Sequence, residues 1–211
     1  MDFGAINPVL LVASLMVSAT PILLAAIGEL VVEKAGVLNL GVEGMMITGA
    51  VVGFAIAVNT GSPGLGFVAA ALASAMLSLS FGVLTQFLLS NQVATGLGLT
   101  LVGLGLSSLI GKPYEGMKSP TLPDLHIPLL GDIPFFVSIA LVAAVWAALK
   151  FTRFGLILRA VGESHDAAHA LGYKVVRIRL LAIFFGGACS GLGGAYLSLV
   201  RVPQWTEGMT T

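Results

Sequence analysis

Apolar positions in this chain come in long unbroken runs rather than in the alternation of a half-buried strand or the stripe of a surface helix. No Asp, Glu, Lys or Arg occurs in residues 3–28, 44–111, 133–149 or 180–200. One bilayer crossing takes about 20 apolar residues, so the run from 44 to 111 predicts several helices in series. Asn59-Thr60-Gly61-Ser62-Pro63-Gly64 and Ser90-Asn91-Gln92 supply the turns that cut it into three. The pattern therefore predicts six spans, at 8–28, 43–58, 67–89, 93–110, 133–150 and 180–200. This is an all-α, polytopic helical membrane protein, read as one domain over 1–211.

Composition agrees. Hydrophobic residues make up 57% of the chain and charged residues 9%, where a soluble domain carries about 25% charged residues. A formal net charge of zero leaves no footprint for nucleic acid. The lone Cys189, in mid-span, has no intrachain partner and is expected to be a packing residue. Met1-Asp2-Phe3 lacks the basic start of a signal peptide, so the first span is expected to be retained.

The charges set the topology. Lys150, Arg153, Arg159, Lys174, Arg177 and Arg179 are six of the ten cations, and all lie in 150–179. Cationic loops stay on the cytoplasmic side, so 151–179 is predicted to be cytoplasmic. By alternation 29–42 and 90–92 join it, while the N-terminus, 59–66, 111–132 and the residues after 201 lie outside. With Lys34 the count is seven cations inside against Lys112, Lys118 and Arg201 outside. Pro113, Pro120, Pro123 and Pro128 predict an extended outer cap over Gly111–Asp132. Gly49, Gly53 and Ala57, and again Gly187, Gly191 and Ala195, recur every four residues and predict close helix approach.

Within 151–179, Gly155 and Gly162 are read as interruptions and Glu163 to Leu171 as a short helix. Glu163 and Asp166 suit its positive N-terminus, and Gly172 stands where a left-handed stop belongs. Ala167, Ala168 and Leu171 would form a small apolar face. So short a helix is marginal alone, which predicts a docking partner.

The run Asp166-Ala167-Ala168, three residues, then Gly172 resembles the EAA loop of ABC-importer membrane subunits, with Asp for the usual Glu. Arg159-Ala160-Val161-Gly162-Glu163 is similar to the form this loop takes in the branched-chain amino acid, ribose and nucleoside permease family. Glu33-Lys34-Ala35-Gly36-Val37-Leu38-Asn39-Leu40-Gly41-Val42-Glu43-Gly44-Met45-Met46 resembles that family's N-terminal signature in its simple-sugar and nucleoside version. Asn91-Gln92-Val93-Ala94-Thr95-Gly96 is similar to a third segment.

The resemblance implies the permease subunit of an ATP-driven importer for nucleosides or simple sugars, in a bacterial or archaeal cytoplasmic membrane. It implies a coupling helix carried by Arg159, Ala160, Gly162, Glu163, Asp166, Ala167, Ala168, Leu171 and Gly172. The implied partners are a cytoplasmic ATP-binding subunit holding ATP and Mg²⁺, a second permease subunit in a heterodimer, and an extracytoplasmic solute-binding protein. No cofactor is expected on this chain, whose nearest approach to a phosphate loop, Gly105 to Gly111-Lys112, has the wrong spacing and Pro113 where Ser or Thr belongs. The resemblance also implies more than six spans, and so a chain truncated at its C-terminus.

Polar residues suggest a translocation path at Asn39, Glu43, Asn91, Gln92 and Thr95. Gly36–Gly44 reads either as a broken helix with Asn39 and Glu43 on one face, or as a connector whose Glu43 starts the next helix. Asn91, Gln92 and Thr95 likewise read as path or as packing. Two other functions compete. A self-contained channel or secondary transporter would carry ionisable groups within its spans, and 44–111 and 180–200 have none. His165-Asp166-Ala167-Ala168-His169 has the spacing of a zinc-protease motif, but no third ligand is spaced for it and no metal is expected.

Overall fold

A computed structural model of the chain describes residues 8–120, 133–206 and 209–210. Its helices are α1 (Pro8–Lys34), α2 (Val42–Thr60), α3 (Pro63–Gln86), α4 (Gln92–Gly111), α5 (Ile133–Phe151), α6 (Arg153–Glu163), α7 (His165–Ala170) and α8 (Val175–Tyr196). A 3₁₀ turn at Lys112–Tyr114 follows α4, and a π-helical turn at Leu197–Arg201 continues α8. No strand forms among the described residues beyond two isolated bridges. Six helices are long and apolar enough to cross a membrane, in the places the apolar runs predict. The protein is a multi-pass membrane protein.

Several helices overrun the charge-free segments. α1 continues to Lys34, and α8 starts at Val175 and so includes Arg177 and Arg179. Charged residues end a hydrophobic run without ending a helix, because their long stems reach the water layer.

The interior is built on missing side chains. A methyl group on Gly49 would fall 2.5 Å from the Cα of Gly191, and one on Gly187 would run into Ser78. Gly191 lies against the Ala70 carbonyl and Gly194 against the Met46 carbonyl. These contacts draw α2, α3 and α8 together at backbone distance, as the small-residue spacing predicts. Hydroxyls then cross between helices. Ser74 Oγ donates to the Met45 carbonyl at 2.7 Å, Ser78 Oγ to that of Ile183 at 3.0 Å, and Ser198 Oγ to that of Ala50 at 2.9 Å. Lipid gives helices no hydrophobic reason to associate, so packing and such bonds supply it.

Loops alternate between two ends. At one end Asn59 Nδ2 donates to Tyr114 Oη at 2.7 Å, and Ser119 N to the Pro203 carbonyl at 3.0 Å. Bridges join Glu115 to Trp205 and Lys118 to Gln204. Trp205 is buried beside Phe54, in space left by Gly111. The proline-rich segment thus opens with a 3₁₀ turn, turns again at Gly116, where Met117 N donates to the Tyr114 carbonyl at 3.1 Å, and only then extends to residue 120; 121–132 lie outside the described residues. At the opposite end lie the α1–α2 turn, the α3–α4 turn and α6–α7, with the cation-rich segments.

Candidate functional site

α6 begins where α5 stops. Thr152 caps it, its Oγ1 accepting from Gly155 N at 3.2 Å. Gly155 then lets α6 fold against the last turn of α5, since a methyl there would strike the carbonyls of Ala148 and Leu149. The Arg159 guanidinium donates to the Leu149 carbonyl, a cation placed on the negative end of a helix. Gly155, Leu158 and Val161 form the buried stripe of α6. Gly155 and Gly162 therefore lie inside a helix instead of interrupting one, because both are contact points and neither is a hinge.

The interruption is Ser164, extended at φ −148° and ψ 106°. Its Oγ accepts from Ala167 N at 3.3 Å and starts α7. Asp166 sits in the first turn of α7, whereas Glu163 ends α6, which corrects the expected helix start. α7 closes with two bonds, Gly172 N to the His169 carbonyl at 2.9 Å and Tyr173 N to the Ala168 carbonyl at 3.1 Å. With Gly172 at φ +85° this is a Schellman stop. The expected apolar face divides. Ala168 is fully buried against Val161 and Val175, while Ala167, Ala170 and Leu171 are exposed, Leu171 by 74%. Ala168 seats the helix on the protein. The outward surface consists of His165, Asp166, Ala167, His169, Ala170 and Leu171.

The three sequence segments that carry the family resemblance meet here. Gly36, at φ +77°, turns the chain after α1, and a methyl on it would lie 3.0 Å from the Cα of Gly162. Gly162 in turn abuts the Lys34 carbonyl. Arg179 Nε donates to the Ala35 carbonyl at 3.1 Å and Nη1 to Gln86 Oε1 at 3.4 Å. On the other side of the turn, Leu38 N donates to Gln92 Oε1 at 2.8 Å and Gly96 packs on the backbone of Leu40 and Gly41. From α1, Glu29 Oε1 accepts from Asn39 N at 3.1 Å.

The polar candidates for a path serve local structure. Asn39 is buried in the turn, its Oδ1 accepting from Gly41 N at 2.9 Å, so Asn39 and Glu43 do not share a helix face. Glu43 lies in the first turn of α2. Asn91 caps α4 by accepting from Ala94 N at 3.1 Å, and Thr95 Oγ1 pairs with Ser90 Oγ at 2.8 Å. Sequence reasoning missed Arg179, Gln86 and Glu29. Arg179 stands just before the predicted span at 180–200, where nothing in the sequence separates it from the solvated cations of the loop.

His165 and His169 are exposed on α7 beside Tyr173, Lys174 and Arg177. Among the described residues no three His, Cys, Asp or Glu side chains gather as a metal site. His126 lies outside the described residues.

A family model described as branched-chain amino acid transport system / permease component matches residues 11–211. A protein of Haloferax volcanii named as a candidate glucose ABC transporter permease is 39% identical, over 92% of this chain and 64% of its own length. The guanosine ABC transporter permease protein of Bacillus subtilis is 32% identical over 96% of this chain and 71% of its own length. The nucleoside ABC transporter permease protein of Lactococcus lactis is 28% identical over 88% and 66%. The chain thus spans roughly two thirds of the length of these relatives. No solved structure matches it.

Proposed function

Because the chain belongs to the family of permease components of branched-chain amino acid transport systems, we propose that it is the membrane-spanning subunit of an ATP-driven importer of nucleosides or simple sugars. The names of the relatives support the substrate class. ATP and Mg²⁺ bind a separate cytoplasmic subunit, which docks on α7. A second permease subunit and an extracytoplasmic solute-binding protein complete the machine, in a bacterial or archaeal cytoplasmic membrane.

The observation that carries this reading is the construction of α7. Ser164 and Gly172 fix its two ends, Ala168 fixes its seat, and its remaining surface projects from the cation-rich end of the bundle. A short helix held this way presents a rigid knob to a groove, at little entropic cost. Cations behind it favour the cytoplasmic face.

Uptake of radiolabelled guanosine and glucose tests the proposal. Uptake is expected to follow ATP and to survive collapse of the proton gradient while ATP is maintained. Loss with the gradient alone would favour a secondary transporter. Single cysteines at Ser164 and Lys118, in a chain with Cys189 replaced by Ser, are expected to label from opposite faces. Lys118 is the better outer reporter because its neighbour Ser119 is buried.

A further inference from the structure

The α1–α2 turn, residues 35–41, touches three elements that otherwise share little. On one side it meets α6 through the Gly36–Gly162 backbone contact. Above, Arg179 of α8 holds its Ala35 carbonyl and ties it to Gln86 at the end of α3. On the far side it meets α4 through Leu38–Gln92 and through Gly41 against Gly96. Inside the turn, Asn39 bonds to Gly41 and to Glu29, so the segment is braced from within. Backbone touching backbone at Gly36–Gly162 has no side chain to bend, and a displacement of one side must move the other.

We infer that this turn transmits displacement of α6–α7 to α4, and that Arg179 is the positioning residue that keeps it seated. The inference rests on the proposed docking of an ATP-binding subunit at α7, and deepens it by naming the route. Arg179 touches neither solute nor nucleotide in this scheme. Its guanidinium binds two acceptors at once, one in the turn and one at the end of α3, a reach that lysine reproduces in part and glutamine does not. Gln92 is the corresponding grip on the α4 side.

Hydrogen exchange on the full chain in detergent or nanodiscs reads the route without any partner. Arg179→Gln and Gly162→Ala are each expected to raise exchange at least fivefold both in 36–41 and in the first turn of α4. The outer ends of α2 and α3 should be unchanged, and Arg179→Lys should restore most of the protection. Change confined to the neighbourhood of each substitution, with α4 unaffected, overturns the inference. Where either variant fails to fold, Gln92→Ala takes its place: it is expected to release residues 36–41, and protection there at the wild-type level overturns the inference equally. In liposomes with the ATP-binding subunit, Arg179→Gln is expected to keep ATP hydrolysis within twofold while guanosine or glucose taken up per ATP falls at least tenfold. Equal losses of hydrolysis and uptake would mark a merely structural role. Failure of the unaltered chain to bind any ATP-binding subunit sinks the importer reading, and leaves the exchange result to judge the turn.

Discussion

The α2–α3–α8 interior and the α5–α6–α7 arm draw on backbone contact and on side chains in different proportions. The interior is joined by what its residues lack, glycines at 49, 187, 191 and 194 that admit neighbouring backbone. The arm leans more on what its residues carry, the Thr152 and Ser164 caps, the Arg159 bond to α5, and Leu158 and Ala168 in small apolar seats, with Gly155 and Gly162 as its two backbone contacts. Burial differs accordingly, at 61% of the membrane window of α2 against 17% of that of α5. Backbone contacts leave the interior one arrangement. Caps and seats are separable increments, so the arm is the part able to shift as a unit while the interior holds.

The contrast breaks most visibly at Gly191. Gly191→Leu is expected to destabilise by roughly 3 kcal/mol or more, since the displaced atoms include backbone. Folded yield and thermal midpoint in detergent should both fall. Gly98→Ala is the control, because nothing lies within 4 Å of the added carbon, and it should behave as the unaltered protein.

Next comes Ala168→Arg, which places a charge in the pocket between Val161 and Val175. It should unseat α7 at a cost of about 2–3 kcal/mol to the arm, seen as new proteolysis within 160–174 while the interior stays folded. Leu171→Arg, on the exposed side, should leave stability alone and, on the proposed docking at α7, weaken association with an ATP-binding subunit at least tenfold. If the two variants behave alike, the division of α7 into seat and surface is mistaken.

Smaller effects follow at the ends of α7. Gly172→Ala should cost about 1–2 kcal/mol through its left-handed backbone alone, because no neighbour crowds the site. Gly172→Pro should cost more, since it also loses the bond to the His169 carbonyl. Ser164→Ala should cost about 1 kcal/mol, and Ser164→Asp should restore the cap. Local exchange rates in 165–173 measure all four.

The six spans were legible because bilayer thickness writes itself into uninterrupted apolar length, and Gly172 was legible because a helix stop has local chemistry. Gly155 and Gly162 were not. A glycine that breaks a helix and one that receives another backbone look alike until the neighbour is known, so the true interruption at Ser164 was read two positions too early. Ala168 was assigned to the outer surface because two helical turns leave the direction of an alanine undetermined without Val161 and Val175. Spacing leaves Asn39 and Glu43 open between a broken helix and a connector, and the bond from Gly41 to Asn39 decides for the connector, with Glu43 in the first turn of α2. Arg179 was counted as a charge, and only the folded chain brings Ala35 and Gln86 to it.

The buried Trp205 has a mechanical consequence. It ties the exit of α8 to the exit of α4, because the indole fills the space over Gly111 and the bridges at Glu115 and Lys118 fasten the two strands of chain side by side. α4 is thus pinned at its exit, held against α2 where Gly103 meets Gly44 at backbone distance, and gripped at its start by Gln92. Gln92 lies about 16 Å along the helix from Gly103, at 1.5 Å per residue, so a tilt of about 5° around that contact swings the gripped end through about 1.4 Å. A grip so far from the fulcrum lets a small force on the α1–α2 turn tilt the whole of α4, every point between them moving less than the gripped end, with no helix bent on the way.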